Sequence, residues 1–231
     1  MRVSVMQPQF VPWAGYWALM DAADVFVIDD MAQYARSWQQ RNRVRGPDGQ
    51  VRWLTIPTLS PSRAPLNEIR IDNSQPWQAK HWRSIEAAYA HCLHWDAVEL
   101  VCGSASRIVW PSLTDLTSAL IHVVECWLGI EAELLWASRL GLDLGLRASA
   151  RVQNILDQVG ATLLVNTVGA RPMFEKEPIR TPIRWLDLEP APYDQGGLPW
   201  VPSLSFLDVI AHTGPRALEI VRAGVREIGA E

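Results

Sequence analysis

The side chains best suited to chemistry gather near the start of the chain. The densest stretch is Arg36-Ser37-Trp38-Gln39-Gln40-Arg41-Asn42-Arg43-Val44-Arg45, with four arginines and three amide side chains in ten residues. A guanidinium fork grips carboxylates and phosphates by two-point contacts that lysine does not make. Alternation in an extended segment puts Arg41, Arg43 and Arg45 on one face. A solvated basic hairpin face would give the same pattern. Asp24, Asp29 and Asp30 lie nearby in sequence, as partners for the arginines or as metal ligands. The Asp29-Asp30 pair suits acid–base work or a divalent cation, or simply a strand-end turn. Neighbouring strand residues face opposite ways, so the two carboxylates are not expected to share a ligand.

Other groups carry weaker signals. His81, beside Lys80, titrates near neutrality and suits proton transfer. His91-x-x-His94 places two imidazoles on one helical face with Cys92 between them. Two ligands do not make a metal site, so none is expected. Cys102 in Val101-Cys102-Gly103 has no base near it in sequence and reads as a buried thiol. The chain lacks a G-x-S-x-G elbow, a P-loop, a G-x-G-x-x-G turn and a paired C-x-x-C.

Composition narrows the classes. A net charge of −4 gives no general nucleic-acid footprint. No apolar run reaches the ~18–20 residues of a membrane span, and Met1 to Gln7 lacks the apolar core of a signal peptide. Three cysteines, an odd number, argue against a disulfide framework and for a reducing, cytoplasmic setting. Tryptophan is over-used, with 12 against four each of Phe and Tyr. That serves either a Trp-rich core or an aromatic-walled pocket. Trp13, Trp17, Trp38 and Trp53 fall in the first quarter and favour the pocket.

The elements that must position these groups follow from periodicity. Arg2 to Met6 reads as a buried strand stopped by Gln7-Pro8-Gln9. Trp13 to Ala22 has helical spacing, and Val25 to Ile28 is a strand buried on both faces. Strand, helix and strand open a parallel βαβ unit, with the Gln7 and Asp29 loops at its carboxyl edge. Arg41 to Pro57 reads as a hairpin around Gly46-Pro47-Asp48-Gly49. Leu66 to Ile71 suits a further strand, and Ser60 to Pro65 a loop over a site. Helices are expected over Trp77–Ala90, Leu113–Trp127, Ser149–Val159 with Ser149 as cap, Ser203–Ile210 and Pro215–Ile228. Strands are expected at Thr162–Val165 and Ile183–Leu186, and Pro190 to Pro202 is a long connection.

One family resemblance covers nearly the whole chain. Gln7-Pro8-Gln9-Phe10-Val11-Pro12-Trp13-Ala14-Gly15-Tyr16, Ala23-Asp24-Val25-Phe26-Val27, Gln33-Tyr34 and Ser37 to Val44 resemble the WbqC-like family. So do Trp53 to Pro57, Lys80-His81, Asn166, Tyr193-x-Gln195 and Ser203-Leu204-Ser205-x-x-Asp208. The resemblance implies an association with O-antigen and other surface-polysaccharide gene clusters or natural-product pathways, and a suggested glycine-transferase role. Pro8-Gln9-Phe10 with Gly15-Tyr16 is also similar to the opening of nucleotidylyltransferases and pantothenate-synthetase-like enzymes. Their two phosphate-binding histidines align with Trp13 and Tyr16.

The expected fold is α/β, with a Rossmann-like, nucleotidylyltransferase-like parallel or mixed sheet at the N-terminus. A β-hairpin insertion and a more helical C-terminal part complete it. The chain is expected to be one domain over residues 1–231, with a subdivision at 1–111 and 112–231 as the alternative. The expected function is transfer of an activated acyl or aminoacyl group, with glycyl among the candidates, to an amine of a sugar or natural-product intermediate. Nucleotidylyl transfer or adenylate formation is one alternative, and a non-catalytic module for a carrier protein or activated sugar is another. His81 and Asp30 are the candidate proton acceptors. Gln7, Trp13, Tyr16, Asp29, Gln33, Arg36, Trp38, Arg41, Asn42, Arg43, Lys80, Gln195 and Asp208 are the candidate binding residues. No cofactor is indicated. The expected partners are a small-molecule substrate and a carrier protein or aminoacyl donor, and a homodimer stays open.

Overall fold

The structure is a computed structural model that describes residues 1–59, 63–143 and 145–228. The Ser60 to Ser62 part of the expected loop over a site lies outside the described residues. A six-stranded sheet has the order β5-β2-β1-β6-β7-β8, formed by β1 (Arg2–Met6), β2 (Val25–Ile28), β5 (Glu133–Trp136), β6 (Leu163–Thr167), β7 (Ile183–Leu188) and β8 (Val225–Ile228). All neighbours are parallel except β7 and β8. Strands β3 (Arg41–Arg45) and β4 (Val51–Thr55) form a separate antiparallel hairpin.

The sheet is buried on both faces. Val3, Val5, Val25, Val27 and Leu164 point one way, onto Ile155 and Leu156 of α5 (Ala148–Val159) and Phe174 of α6 (Arg171–Lys176). Phe26, Ile28, Val165 and Leu186 point the other way. There they join Trp17 of α1 (Ala14–Asp21), Leu120 of α4 (Leu113–Leu128) and Phe206 of α7 (Phe206–Thr213) in the larger core. The continuous apolar run of β2 is the composition that two covered faces require.

The chain steps from β1 outward to β2 and β5, then crosses back to β6 and β7 on the other side. That reversal makes a switch point between the carboxyl ends of β1 and β6, where open parallel sheets leave a crevice. The sheet takes strands from both sides of residue 111. No helix among the described residues is long and apolar enough to cross a membrane.

Several segments differ from expectation. Leu66 to Ile71 forms a 3₁₀ turn (Leu66–Glu68) and isolated bridges, because its amides bond residues 30–34 one at a time: Leu66 N to Ala32 O and Asn67 N to Asp30 O. Ser149 is not a cap. It lies inside α5, and its hydroxyl donates to Glu177 Oε2 at 3.0 Å. The expected Pro215–Ile228 helix ends as α8 (Ala217–Ala223), since Val225–Ile228 gains an antiparallel ladder with β7. Helix α7 starts at Phe206 rather than Ser203, with the Ser205 hydroxyl accepting from Leu207 N. Helix α2 (Trp77–Tyr89) matches its expected span closely, and α3 (Trp95–Cys102), β5 and α6 were not anticipated.

Candidate functional site

At the carboxyl end of β1, Gln7 meets the 33–40 segment. Gln39 Nε2 donates to Gln7 Oε1 at 2.6 Å and to Gln33 O at 3.1 Å, while its Oε1 accepts from Ala35 N at 2.7 Å. Phe10 N donates to Trp38 O at 3.1 Å. The Gln7–Phe10 loop and the Gln33–Trp38 stretch are therefore laced together. The Gln33 side chain is exposed, and so is Arg36, which adopts φ 51°.

Beyond β2 the two aspartates part. Arg151 Nη2 donates to Asp29 Oδ2 at 2.9 Å, and its Nη1 donates to Met31 O at 3.1 Å. Burial pushes the Asp29 carboxyl up, and the Arg151 charge opposes that shift. Asp30 accepts from Ser138 N at 2.9 Å and Ser138 Oγ at 2.6 Å. Asp30 also lines an open cleft of about 650 Å³, with Asn67, Trp110, Asp115, Trp136 and Arg139. The cleft lies where β2 and β5 end.

The hairpin carries both exposed and buried polar side chains. On one face, Trp38 and Trp53 are 40 % and 48 % exposed, with ring centroids 5.4 Å apart. The Arg41 guanidinium sits 4.7 Å over Trp53, and that of Arg43 lies 5.7 Å from Trp38 and 5.9 Å from Trp53. Arg43 Nη2 also donates to Pro202 O and Ser203 O. Among the described residues no carboxylate pairs with Arg41 or Arg43.

A buried polar network adjoins this cluster, drawing on Asn42 from the opposite face and on Arg45 from the face of Arg41 and Arg43. Asn42, fully buried, donates from Nδ2 to Phe10 O and Val11 O and accepts from Arg43 N. Arg45, next but one to Arg43, is also buried and donates to Gln195 Oε1 at 3.2 Å and Pro199 O at 2.6 Å. Gln195 donates to Tyr193 Oη, and Tyr193 donates to Asp208 Oδ1 at 2.8 Å. Tyr89 donates to Asp208 Oδ2 at 3.1 Å. Burial raises the Asp208 pKa, and the Tyr193 hydroxyl leads the groups that oppose it. Val11 (φ 38°) and Ser203 (φ 55°) hold left-handed backbone, and their carbonyls are the ones that Asn42 and Arg43 grip. Such strain persists only where surrounding bonds over-determine it.

The remaining candidates are dispersed. His81 is buried against Phe10 and Trp77; its Nε2–H donates to Thr55 O at 3.1 Å, which leaves Nδ1 without a partner. Burial pulls its pKa down to about 4. Lys80 lies on a separate groove of about 490 Å³ between α2 and the hairpin, with Arg52 and Arg83. Tyr16 is sealed among Trp17 and Phe26, and burial raises its pKa. Trp13 is half-buried and covers Gly15, where a Cβ would come within 2.2 Å of the indole ring. Sequence reasoning missed Arg151, Ser138, Arg45, Tyr89 and Tyr193 as partners. For the first two, no local signal points to Asp29 or Asp30.

An open, mostly parallel α/β sheet with carboxylates at its carboxyl edge, clasped by a polar-cored hairpin, defines the class of protein. The chain belongs to the WbqC-like protein family, whose model matches residues 7–220. A Mycobacterium tuberculosis protein, Rv1507c, itself uncharacterized, is 28 % identical over 231 residues, 96 % of this chain and 97 % of the relative. No solved structure matches.

Proposed function

We propose that this WbqC-like chain is a transferase on a Rossmann-like scaffold. It moves an activated acyl or aminoacyl group, glycyl among the candidates, onto an amine of a sugar or natural-product intermediate. Asp30 carries this reading. Its carboxylate stands at the carboxyl edge of the sheet, is oriented by two bonds from Ser138, and borders a cleft of about 650 Å³ that suits a small substrate. The amine nitrogen attacks the activated carbonyl carbon, and the bond to the carrier breaks. Asp30 takes the proton from the attacking nitrogen and returns it to the departing group. Arg41 and Arg43, with no carboxylate partner among the described residues and set on the exposed Trp38–Trp53 pair, suit an anionic carrier. His81 is the weaker proton acceptor, because it is sealed under the hairpin and stays neutral to about pH 4.

The test is product formation from glycyl-coenzyme A and glycyl-tRNA with amino-sugar acceptors, read by mass spectrometry. Asp30→Asn should cut turnover by about 10²–10⁴-fold with the fold retained. Full turnover in that variant overturns the assignment. Specific binding of donor without product, under every pairing, would leave a binding module instead.

A further inference from the structure

The long helix α4 carries its apolar residues inward: Leu116, Leu120, Ile121 and Val124 are all buried in the core. Its outer side presents His122, Glu125 and Cys126, the i, i+3 and i+4 positions that share one helical face. Their donor atoms close a small triangle. His122 Nδ1 is 3.1 Å from Glu125 Oε2, Cys126 Sγ is 3.9 Å from His122 Nδ1, and Cys126 Sγ is 3.6 Å from Glu125 Oε2. All lie within 4.8 Å of one another.

Those edges, 3.1 to 3.9 Å, bracket what a tetrahedral ion demands. With Zn–N, Zn–O and Zn–S bonds near 2.0–2.3 Å, ligand atoms on a tetrahedral face stand roughly 3.4–3.6 Å apart. The Glu125 side chain is only 13 % exposed, against 64 % for His122, so one ligand is pinned and the others can adjust. We propose that His122, Glu125 and Cys126 form a surface site for a zinc-class divalent cation, with three protein ligands and a fourth position open to water or an incoming ligand. The donor set selects the ion. Thiolate and imidazole favour Zn²⁺ and its neighbours, whereas Mg²⁺ and Ca²⁺ take oxygen ligands. With no ion bound, the Cys126 thiol leans on Glu125 Oε2. Burial, and then the Glu125 charge, raise its pKa. A cysteine ligand binds as the thiolate, so each ion taken up releases about one proton.

A second sulfur–imidazole group provides the internal control. Cys92 Sγ lies 3.8 Å from His91 Nε2 and 4.0 Å from His212 Nδ1, but the three donors do not close on one another as the α4 triad does. Titration of the whole chain with Co²⁺ separates the two. The expected result is a thiolate-to-cobalt charge-transfer band with intense four-coordinate visible bands. Zn²⁺ should erase them, and Mg²⁺ should leave them. Cys126→Ser should lose the charge-transfer band, Cys92→Ser should keep it, and His122→Ala should weaken binding by at least about 10-fold. His122 and Cys126 lie on the outer side of a well-packed helix, Cys92 is half-buried in the turn before α3, and unchanged circular dichroism confirms that each variant folds. No cobalt spectrum, or one abolished by Cys92→Ser and retained by Cys126→Ser, overturns the site.

Discussion

The buried and the exposed polar residues of the β3–β4 hairpin use similar side chains for opposite ends. Asn42 and Arg45 are buried and donate to the protein: Asn42 to the Phe10–Val11 loop, Arg45 to Gln195 and Pro199 O. Arg41 and Arg43 turn toward Trp38 and Trp53, with no carboxylate partner among the described residues. Residue type does not separate these roles. Burial does: Arg45 shares a strand face with Arg41 and Arg43 but is covered by the 195–201 connection, whereas Asn42 points to the opposite side. A motif dense in Arg, Asn and Gln is thus half fold-builder and half candidate binding surface. Asn42 holds the left-handed backbone at Val11, and Arg43 that at Ser203.

The contrast can be broken most forcefully on the inward side. Asp208→Ala strands the hydroxyls of Tyr89, fully buried, and Tyr193, half-buried. Each stranded buried donor costs about 1–3 kcal/mol, so unfolding in urea should show a loss of roughly 2–6 kcal/mol with little change in slope. A loss below about 0.5 kcal/mol would mean that the network does not hold the 190–202 connection in place.

Next in size is a pH effect at His81. Its folded pKa is pulled down to about 4 by burial, whereas an unfolded histidine protonates near 6.5. Between those values the unfolded chain binds more protons. Stability from this group is therefore full above about 6.5 and is lost as pH falls toward 4, by on the order of 3 kcal/mol. His81→Gln, which keeps a donor for Thr55 O, should flatten that part of the stability profile. An unchanged profile would place His81 in contact with water and reopen its use as a proton acceptor.

Much of the frame is legible in the sequence. Strands β1 and β2, helices α1, α2 and α4, and the hairpin turn each carry their own periodicity or turn chemistry. Strand β5 and helix α3 are harder to see. Glu133-Leu134-Leu135-Trp136 has only four residues and becomes a strand by pairing with β2. Val225 to Ile228 continues a helical pattern until β7 offers it a ladder. The divergence of Asp29 and Asp30 agrees with the alternation expected from sequence, although both lie just past the end of β2. Their partners do not follow from it: Arg151 and Ser138 lie 122 and 108 residues further on. The Trp question has a divided answer, with Trp17 in the core and Trp38 and Trp53 exposed on the hairpin.

The smallest expected change in stability, and the sharpest test, compares two adjacent residues of β3. Arg41→Gln and Asn42→Ala are measured side by side for unfolding in urea and for coenzyme A binding by calorimetry. Arg41→Gln should shift stability by no more than about 0.5 kcal/mol and weaken binding several-fold, more so at low salt. Asn42→Ala should cost about 2–4 kcal/mol by leaving Phe10 O and Arg43 N unmatched. If the parent chain does not bind coenzyme A, if Arg41→Gln binds it fully, or if the two variants are equally stable, the division between an inward structural face and an outward binding face is wrong.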